Sequence, residues 1–161
     1  MTTFKTIMNS IVNFHDSSVQ VIGLYRLSHF IWISHAEYLS KVVASLNGFL
    51  TGASIHPSVT IGKDINFPHP IGVVIGANVI IGNNVTIFQN TTIGKKGVGR
   101  HRTIDKGVPK IGNKVSIGCG SAILGNIVIG DDIVVGANSV VSKNVPNHST
   151  VCGVNQIVKS N

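Results

Sequence analysis

Apolar residues return along most of the chain at an interval of six. Counted from residue 55, the first position of every unit is apolar, and ten of the thirteen positions are isoleucine. They are Ile55, Ile61, Phe67, Ile75, Ile81, Ile87, Ile93, Ile111, Ile117, Ile123, Ile129, Val135 and Val141. Glycine follows eight of them. A period of six fits neither an amphipathic helix nor an alternating strand. It is typical of short strands joined by tight turns, as in β-helix repeats.

The repeat predicts the fold class, an all-β solenoid: a left-handed parallel β-helix of hexapeptide units over residues 54–161. Three units make one triangular coil. A single coil would leave its apolar side in water, so the coils have to stack. Hexads normally coil to the left, although parallel crossovers elsewhere are right-handed. A solenoid without enzymatic function stays open as the alternative at this point.

Residues 1–53 are predicted to form a short N-terminal α-helical cap. Apolar residues keep a helical spacing over 19–33 and again over 38–50. The open end of a solenoid needs a cover, which favours a capping role, and docking on a membrane surface is the alternative. Charged residues interrupt this apolar region, so no transmembrane span is predicted.

Cysteine content and the start of the chain indicate the compartment. The first residues have neither the apolar core nor the cleavage site of a signal peptide. Two cysteines, Cys119 and Cys152, are too few for a disulfide framework. We therefore expect a cytoplasmic protein whose contact with the inner membrane is at most peripheral.

The repeat first breaks its spacing between Phe67 and Ile75, which are eight residues apart. The two extra residues predict a bulge at a corner, and His69 lies on it between Pro68 and Pro70. Proline fixes the backbone angle on each side. A rigidly held, protruding imidazole is suited to act as a general base. The alternative is a surface histidine in an ordinary turn.

A second break separates Ile93 from Ile111, which are eighteen residues apart. The segment 94–110 is rich in glycine and basic residues, which predicts an extended loop over a ligand. It lacks the GxxxxGK[ST] pattern of a phosphate-binding loop and the βαβ setting of a dinucleotide fold.

Counting the units by threes places the two breaks on different corners of the prism. His69 leaves the corner between the third and first faces, whereas the loop 94–110 leaves the corner between the first and second. In a three-fold assembly, the loop of one chain then covers the histidine edge of its neighbour. We therefore predict a homotrimer with active sites between subunits.

The formal net charge of +7 suggests an anionic partner. Six basic residues fall in or beside the long loop: Lys95, Lys96, Arg100, Arg102, Lys106 and Lys110. Aromatic residues do not interleave with them, so binding to nucleic acid is not predicted. A metal site is not predicted either, since the histidines lack ligand spacing and no carboxylate joins them.

Six blocks of the sequence resemble the hexapeptide-repeat acyltransferases and, within them, the serine O-acetyltransferase branch. The resemblance covers residues 24–158. The blocks are LYRLSHFIW (24–32), IHPSVTIG (55–62), PHPIGVVIG (68–76), NVTIFQNTTIG (84–94), SIGCGSAILGNIVIG (116–130) and GANSVVSKNVPNHSTVCGV (136–154). This resemblance implies transfer of an acetyl group from acetyl-CoA to a hydroxyl.

The resemblance also implies roles for single residues. His69 falls where the family has its catalytic base, and His101 is the second catalytic candidate. Arg100 and His101 resemble the pair that holds the acceptor. The residues implied in binding acetyl-CoA are Gly118, Gly120, Ala122, Gly125, Ala137, Lys143 and Lys110. A backbone N–H between Gly118 and Ser121 is the expected donor to the oxyanion.

The sequence departs from the family pattern at several positions. Pro68 replaces the aspartate before the base, and Ser54 stands where a carboxylate that orients the imidazole is expected. Asp64 and Asp105 are candidate substitutes. Seven residues separate the arginine–histidine pair from the PKI motif that it adjoins in the family.

The choice of acceptor depends on the region before the coils. Full-length serine acetyltransferases carry a long helical domain there, whereas this chain has only about fifty residues. In this respect it is similar to short relatives from capsule, exopolysaccharide and O-antigen pathways. We therefore expect a sugar hydroxyl of a surface polysaccharide as the acceptor, with L-serine as the alternative. A solenoid with a decayed site is a third, less favoured interpretation.

Overall fold

The computed structural model describes residues 17–97 and 107–160. Two helices come first, α1 over Ser17–Ile33 and α2 over Glu37–Thr51. Fourteen strands follow within these described ranges. They are β1 Ser54–Ile55, β2 Thr60–Ile61, β3 Val74–Ile75, β4 Ile80–Ile81, β5 Thr86–Ile87, β6 Thr92–Gly94, β7 Lys110–Ile111, β8 Ser116–Ile117, β9 Ala122–Leu124, β10 Val128–Ile129, β11 Val134–Val135, β12 Val140–Val141, β13 Ser149–Cys152 and β14 Gln156–Ser160.

The strands form three sheets, one on each face of a triangular prism. The first sheet contains β1, β3, β6, β9 and β12, the second β2, β4, β7 and β10, and the third β5, β8, β11, β13 and β14. Pairing between coils is parallel, and each repeat residue lies beside the one three units later, as Ile55 does beside Ile75. The predicted left-handed parallel β-helix is confirmed, and the two breaks lie on the predicted corners.

The repeating apolar residues form the core of the prism. All of the first positions except Ile61 are buried, and fifth-position residues such as Val59, Val79 and Val85 join them. Burying one such side chain contributes about 1.5–3 kcal/mol. The column of stacked isoleucines therefore holds consecutive coils together.

The corner between the second and third sheets uses left-handed backbone. Asp64, Asn84, Lys114, Asp132 and His148 stand there with φ angles between 54° and 58°. Asparagine and aspartate tolerate this conformation better than other residues with a β-carbon, because their short polar side chains form local hydrogen bonds. Three of the five positions follow this preference.

An asparagine ladder runs along the same corner. We use this name for Asn83, Asn113, Asp131 and Asn147, whose side-chain oxygens each accept a backbone N–H from the preceding coil. The Oδ1 of Asn113, for example, accepts the N–H of Asn83 at 2.9 Å. The ladder satisfies backbone donors that the sheets do not use.

Helix α1 covers the first coil and is joined to it by polar side chains. The Tyr25 hydroxyl donates to the carbonyl of Val59 at 2.7 Å, and Ser18 Oγ accepts the N–H of Phe67 at 3.0 Å. Val21 and Tyr25 are buried in the same core as the coils. The predicted helical cap is confirmed.

The apolar side of α2 faces away from the coil. The buried residues of α2 are Ser40, Asn47 and Thr51. Its exposed apolar residues are Leu39, Val42, Leu46, Phe49 and Leu50. Asn47 Nδ2 donates to the carbonyl of Val21 at 3.1 Å, so a polar side chain makes the contact with α1. Spacing predicted the helix correctly but did not reveal which side is buried.

The far end of the prism closes with a hairpin that the repeat did not predict. Strand β14 pairs antiparallel with β13 and extends the third sheet beyond the last hexad. In the part of the chain that the structure describes, neither helix has the length and apolar character needed to cross a membrane.

Candidate active site

His69 is displayed at a corner of the prism, as the eight-residue step predicts. The chain leaves the core at Phe67 and returns to it at Val73, and the His69 side chain between them is exposed. The N–H of Val73 donates to the Pro70 carbonyl at 3.1 Å, and Gly72 closes the turn with a φ of 75°. A turn closed in this way holds the imidazole in place.

The turns at this corner stack upon one another. Residues 68–72, 88–90, 118–120 and 136–138 each connect the third sheet to the first. Backbone N–H···O bonds of 2.8–3.0 Å link each turn to the next. We call this stack the His69 edge. It places the bulge in one continuous surface with the later coils.

Three of the residues expected to bind acetyl-CoA lie on the His69 edge: Gly118, Gly120 and Ala137. Gly118 is required by the stacking, because a β-carbon there would lie 2.6 Å from the backbone nitrogen of Ala137. The stacking of the turns therefore leaves no room for a side chain at Gly118.

The other predicted acetyl-CoA residues lie elsewhere on the prism. Gly125 follows β9 and donates its N–H to Gly94 at the opposite edge of the first sheet, where the long loop leaves. Lys143 follows β12 at that same edge. Ala122 lies within the first sheet, and Lys110 begins β7 in the second. One chain alone does not bring all seven residues together.

The expected oxyanion donors are partly occupied by the coil. Gly118 donates its N–H to the Val135 carbonyl at 2.8 Å, and Gly120 donates to Gln89 at 2.9 Å. These bonds hold consecutive coils together, so neither N–H is free to bind a ligand. Of the four residues 118–121, Ser121 is buried, so Cys119 remains as the candidate donor.

The carboxylate that would orient His69 is not found among the described residues. Its imidazole makes no hydrogen bond within residues 17–97 and 107–160. Asp64 lies at the corner between the second and third sheets, so the whole third-sheet segment 65–67 separates it from the bulge. Ser54 is exposed in β1, and Asp105 lies outside the described residues.

The two candidates for holding the acceptor, Arg100 and His101, also lie outside the described residues. The ends of their loop are described: Lys95 and Lys96 are exposed after β6, and Pro109 is buried before β7. The loop therefore leaves and re-enters the prism at the edge that the repeat predicts.

His56, which follows β1, has a distinctive environment. His56 Nδ1 accepts the backbone N–H of Ser58 at 3.1 Å. Burial lowers the pKa of His56 below its ordinary value, and the positive charge of Lys41 lowers it further. Lys41 comes from α2, and no sequence signal links it to His56.

Cysteines and metals have no evident part in the described structure. Cys119 and Cys152 are both free thiols. Within residues 17–97 and 107–160, histidines, cysteines, aspartates and glutamates do not form a group of three suited to hold a metal ion.

A protein-family model matches part of the prism. The bacterial transferase hexapeptide family, a model of six repeats, matches residues 109–143. This match lies within the repeat that forms the prism.

Several relatives define the branch. Serine acetyltransferase of Staphylococcus aureus strain Mu50 is 41% identical over 147 residues, covering 86% of this chain and 67% of the relative. A Staphylococcus epidermidis serine acetyltransferase is 42% identical over the same length and coverage. The chain therefore belongs to the serine acetyltransferase family.

Solved structures of serine acetyltransferases have the same fold as this chain. Soybean serine acetyltransferase complexed with serine has a TM-score of 0.78 and 40% identity, over 86% of this chain and 56% of that one. The Brucella abortus strain S19 enzyme in complex with coenzyme A has a TM-score of 0.84 and 30% identity, over 91% of this chain and 57% of that one. This chain thus spans a little more than half the length of these solved relatives.

The comparisons confirm that the chain is of an acyltransferase class and correct the predicted acceptor. The expectation of a sugar hydroxyl in polysaccharide synthesis is wrong, because relatives that align with 86% of the chain are serine acetyltransferases. The short helical region misled the prediction. The length of a region outside the prism does not identify the acceptor, because function depends on the residues of the site.

Proposed function

We propose that this protein transfers the acetyl group of acetyl-CoA to the side-chain hydroxyl of L-serine, with His69 as the general base. The observation that carries this proposal is His69 itself. It is exposed on an eight-residue step, at the edge that continues into the later coils, in a chain of the serine acetyltransferase family. Relatives solved with serine and with coenzyme A support the choice of the two substrates.

The reaction needs one proton acceptor and one oxyanion donor. The serine hydroxyl oxygen attacks the thioester carbonyl carbon as neutral His69 takes the hydroxyl proton. The C–S bond then breaks, and the proton held by His69 passes to the departing CoA sulfur. The backbone N–H of Cys119 stabilises the negative oxygen of the tetrahedral intermediate.

The acetyl-CoA residues belong to one site only if two chains meet. Gly118, Gly120 and Ala137 share the His69 edge, whereas Gly125 and Lys143 lie on the edge where the loop leaves. A homotrimer that brings these two edges together combines both sets, and we propose that assembly. Arg100 and His101 would then reach across the interface to hold the acceptor.

Three further predictions for this chain are independent of the proposed acceptor and base. They are a division into a helical cap over 1–53 and a catalytic prism over 54–161, a cytoplasmic location, and the absence of a metal requirement. Lys110 and Ala122 complete the proposed acetyl-CoA site.

The test is release of the CoA thiol from acetyl-CoA by purified protein with L-serine as the sole acceptor. L-Alanine, which lacks only the hydroxyl, is the matched control. We expect release with L-serine and a background rate with L-alanine. His69→Ala should lower the serine-dependent rate by about 10²–10⁴, the usual contribution of a general base.

His148→Asn is the control variant, because His148 is an exposed corner histidine that pairs with Asp132 at 3.0 Å, on a different edge of the prism. It should retain the wild-type rate. Equal rates for L-serine and L-alanine would contradict the proposed acceptor. An unchanged rate for His69→Ala would contradict the role of His69 as the base but would leave the proposed acceptor standing.

A further inference from the structure

A groove lies between α2 and the first strand of the prism. Its volume is about 330 Å³, which corresponds to roughly ten water molecules at liquid density. One wall is a single side of α2, and the other is the chain from β1 into the following turn. The lining residues are Lys41, Ala44, Ser45, Gly48, Ser54, Ile55, His56 and Pro57.

The groove exists because the side of α2 that faces β1 carries small residues. Lys41, Ala44, Ser45 and Gly48 follow the i, i+3, i+4, i+7 spacing that places residues on one side of a helix. The three small side chains leave space beside the strand. Of the described residues that line this space, Lys41 is the one lysine or arginine.

Lys41 and His56 belong to one cluster. The Lys41 ammonium lies 5.7 Å from the centre of the Trp32 ring, and Trp32 meets His56 edge-on at 5.4 Å between centroids. The charge of Lys41 helps to lower the pKa of His56, as expected of groups that share a positive potential.

The tautomer of His56 follows from its hydrogen bonds. A backbone N–H can only donate, so Nδ1 of His56, which accepts the N–H of Ser58, carries no proton. The proton of the neutral ring is therefore on Nε2. Within residues 17–97 and 107–160, that N–H has no hydrogen-bond partner, and neither does the exposed hydroxyl of Ser54.

Among the residues that the structure describes, none with an acidic side chain lines the groove. Glu37 approaches Lys41 at 3.6 Å, but both side chains are more than half exposed. Exposed pairs of this i, i+4 kind contribute only about 0.3–0.5 kcal/mol, so a ligand displaces Glu37 easily. The groove thus offers a cation and two unused donors with no competing fixed anion.

We propose that this groove binds a small anion, a carboxylate or a phosphate, through the Lys41 ammonium, the His56 Nε2–H and the Ser54 hydroxyl. Charge-assisted hydrogen bonds of this kind are the strong ones in proteins. The ligand would join α2 to the prism. The proposal does not depend on acetyl transfer, and the site remains intact in His69→Ala.

The test follows the imidazole Cε1–H resonance of His56 by NMR in the full chain, during titration at constant ionic strength. His56→Gln assigns the resonance. Sodium acetate and inorganic phosphate are the two anion probes, and acetamide is the neutral match for acetate. We expect a saturable shift with one or both anions and none with acetamide, in the wild type and in His69→Ala alike.

Lys41→Met should weaken the anion response at least tenfold. Lys63→Met, which removes an exposed lysine at another corner, should leave it unchanged. The stronger of the two anions identifies the ligand as carboxylate or phosphate. The proposal is overturned if neither anion gives a saturable shift, or if Lys41→Met and Lys63→Met respond alike.

Discussion

Two glycines show how the surroundings of a single residue determine its role. A β-carbon on Gly82 would lie 2.6 Å from the carbonyl oxygen of Gly112 in the next coil. That neighbour is backbone and cannot move aside without separating the coils. For Gly23, in the middle of α1, such a β-carbon would meet no described atom within 4 Å apart from its chain neighbours and the backbone of its own helix. The same substitution to alanine therefore meets a close backbone contact at Gly82 and open space at Gly23.

We expect Gly82→Ala to lower the free energy of unfolding by about 1–3 kcal/mol, since overpacking forces the backbone to shift. Gly23→Ala should raise it by about 0.5–1 kcal/mol, because alanine is the better helix former. Urea unfolding of both variants and the wild type measures the difference. A loss of stability in Gly23→Ala as large as that in Gly82→Ala would contradict this account.

Tyr25 connects α1 to the first coil through its hydroxyl. Burial raises its pKa to about 12, so the folded chain keeps the phenol neutral when the unfolded chain ionises near pH 10. A raised pKa contributes stability that is complete below pH 10 and is lost as the pH rises towards 12. The hydroxyl therefore stabilises the cap at neutral pH.

Tyr25→Phe should lower the free energy of unfolding at pH 7 by about 0.5–1.5 kcal/mol, the usual contribution of one buried hydrogen bond. The difference from the wild type should shrink between pH 10 and 12. Denaturant unfolding at pH 7, 10 and 11.5 tests both parts. A difference that stays constant over this range would show that the phenol ionises equally in both states.

At the level of elements, the asparagine ladder joins coils that the core alone does not align. Asn113 is its central residue. Its Oδ1 accepts from Asn83, and its Nδ2 donates to Asp131 Oδ1 at 3.0 Å. Removing the side chain leaves donors and acceptors of two coils without partners, at a corner that is only partly open to water.

Asn113→Ala should therefore cost about 1–3 kcal/mol in the free energy of unfolding. Thr60→Ala, at an exposed position of β2 whose side chain makes no hydrogen bond to a described residue, should change it by less than about 0.5 kcal/mol. Thermal or urea unfolding compares them. Equal effects in the two variants would mean that the ladder contributes little.

Helix α2 shows where spacing stops being informative at this level. The periodic apolar residues predicted the helix, yet Ser40 is fully buried and Phe49 is 87% exposed. Asn47 and Thr51 satisfy their own polar groups by hydrogen bonds inside the contact with α1. A buried side built from bonded polar groups has no hydropathy signal, because periodicity counts only apolar positions.

At the scale of the whole molecule, the proposed trimer has a direct test. If His69 of one chain and His101 of its neighbour form one site, His69→Ala and His101→Ala are each inactive alone. Mixed assemblies made by joint refolding or co-expression should recover about a quarter of the wild-type sites, by random arrangement in a closed ring. Serine-dependent thiol release of the mixture measures the recovery.

The control is a mixture of preformed His69→Ala and His101→Ala assemblies that do not exchange subunits. This mixture should stay inactive. Sedimentation equilibrium should give three times the mass of the chain. Absence of recovery in mixtures shown to contain both variants would place His69 and His101 of one site in the same chain.

Most of the fold follows from local regularity. The six-residue period, the eight-residue step at His69 and the long insertion after Gly94 were enough to predict the faces, their register and the corners where each break lies. A repeat protein permits this because every coil contacts only its neighbours, so counting along the sequence is equivalent to moving along the axis. The hairpin of β13 and β14 lies beyond the last repeat and was missed for that reason.

The candidate site was only partly accessible from the sequence. His69 was identified because it interrupts a regular count. The involvement of the Gly118 and Gly120 N–H groups in coil contacts, and the distance of Asp64 from the bulge, depend on which corner each turn occupies and what stacks there. The anion groove was not visible at all, since Lys41 and His56 meet only after α2 packs on β1.

The sequence by itself therefore determined the class of the fold, the order of its coils and the position of the candidate base, because each is a property of spacing. The tertiary structure alone decided which side of α2 is buried, which backbone donors remain free and which distant side chains share a groove. Those properties depend on contacts between segments that no local pattern encodes, and on the free energy of satisfying polar groups once they are brought together.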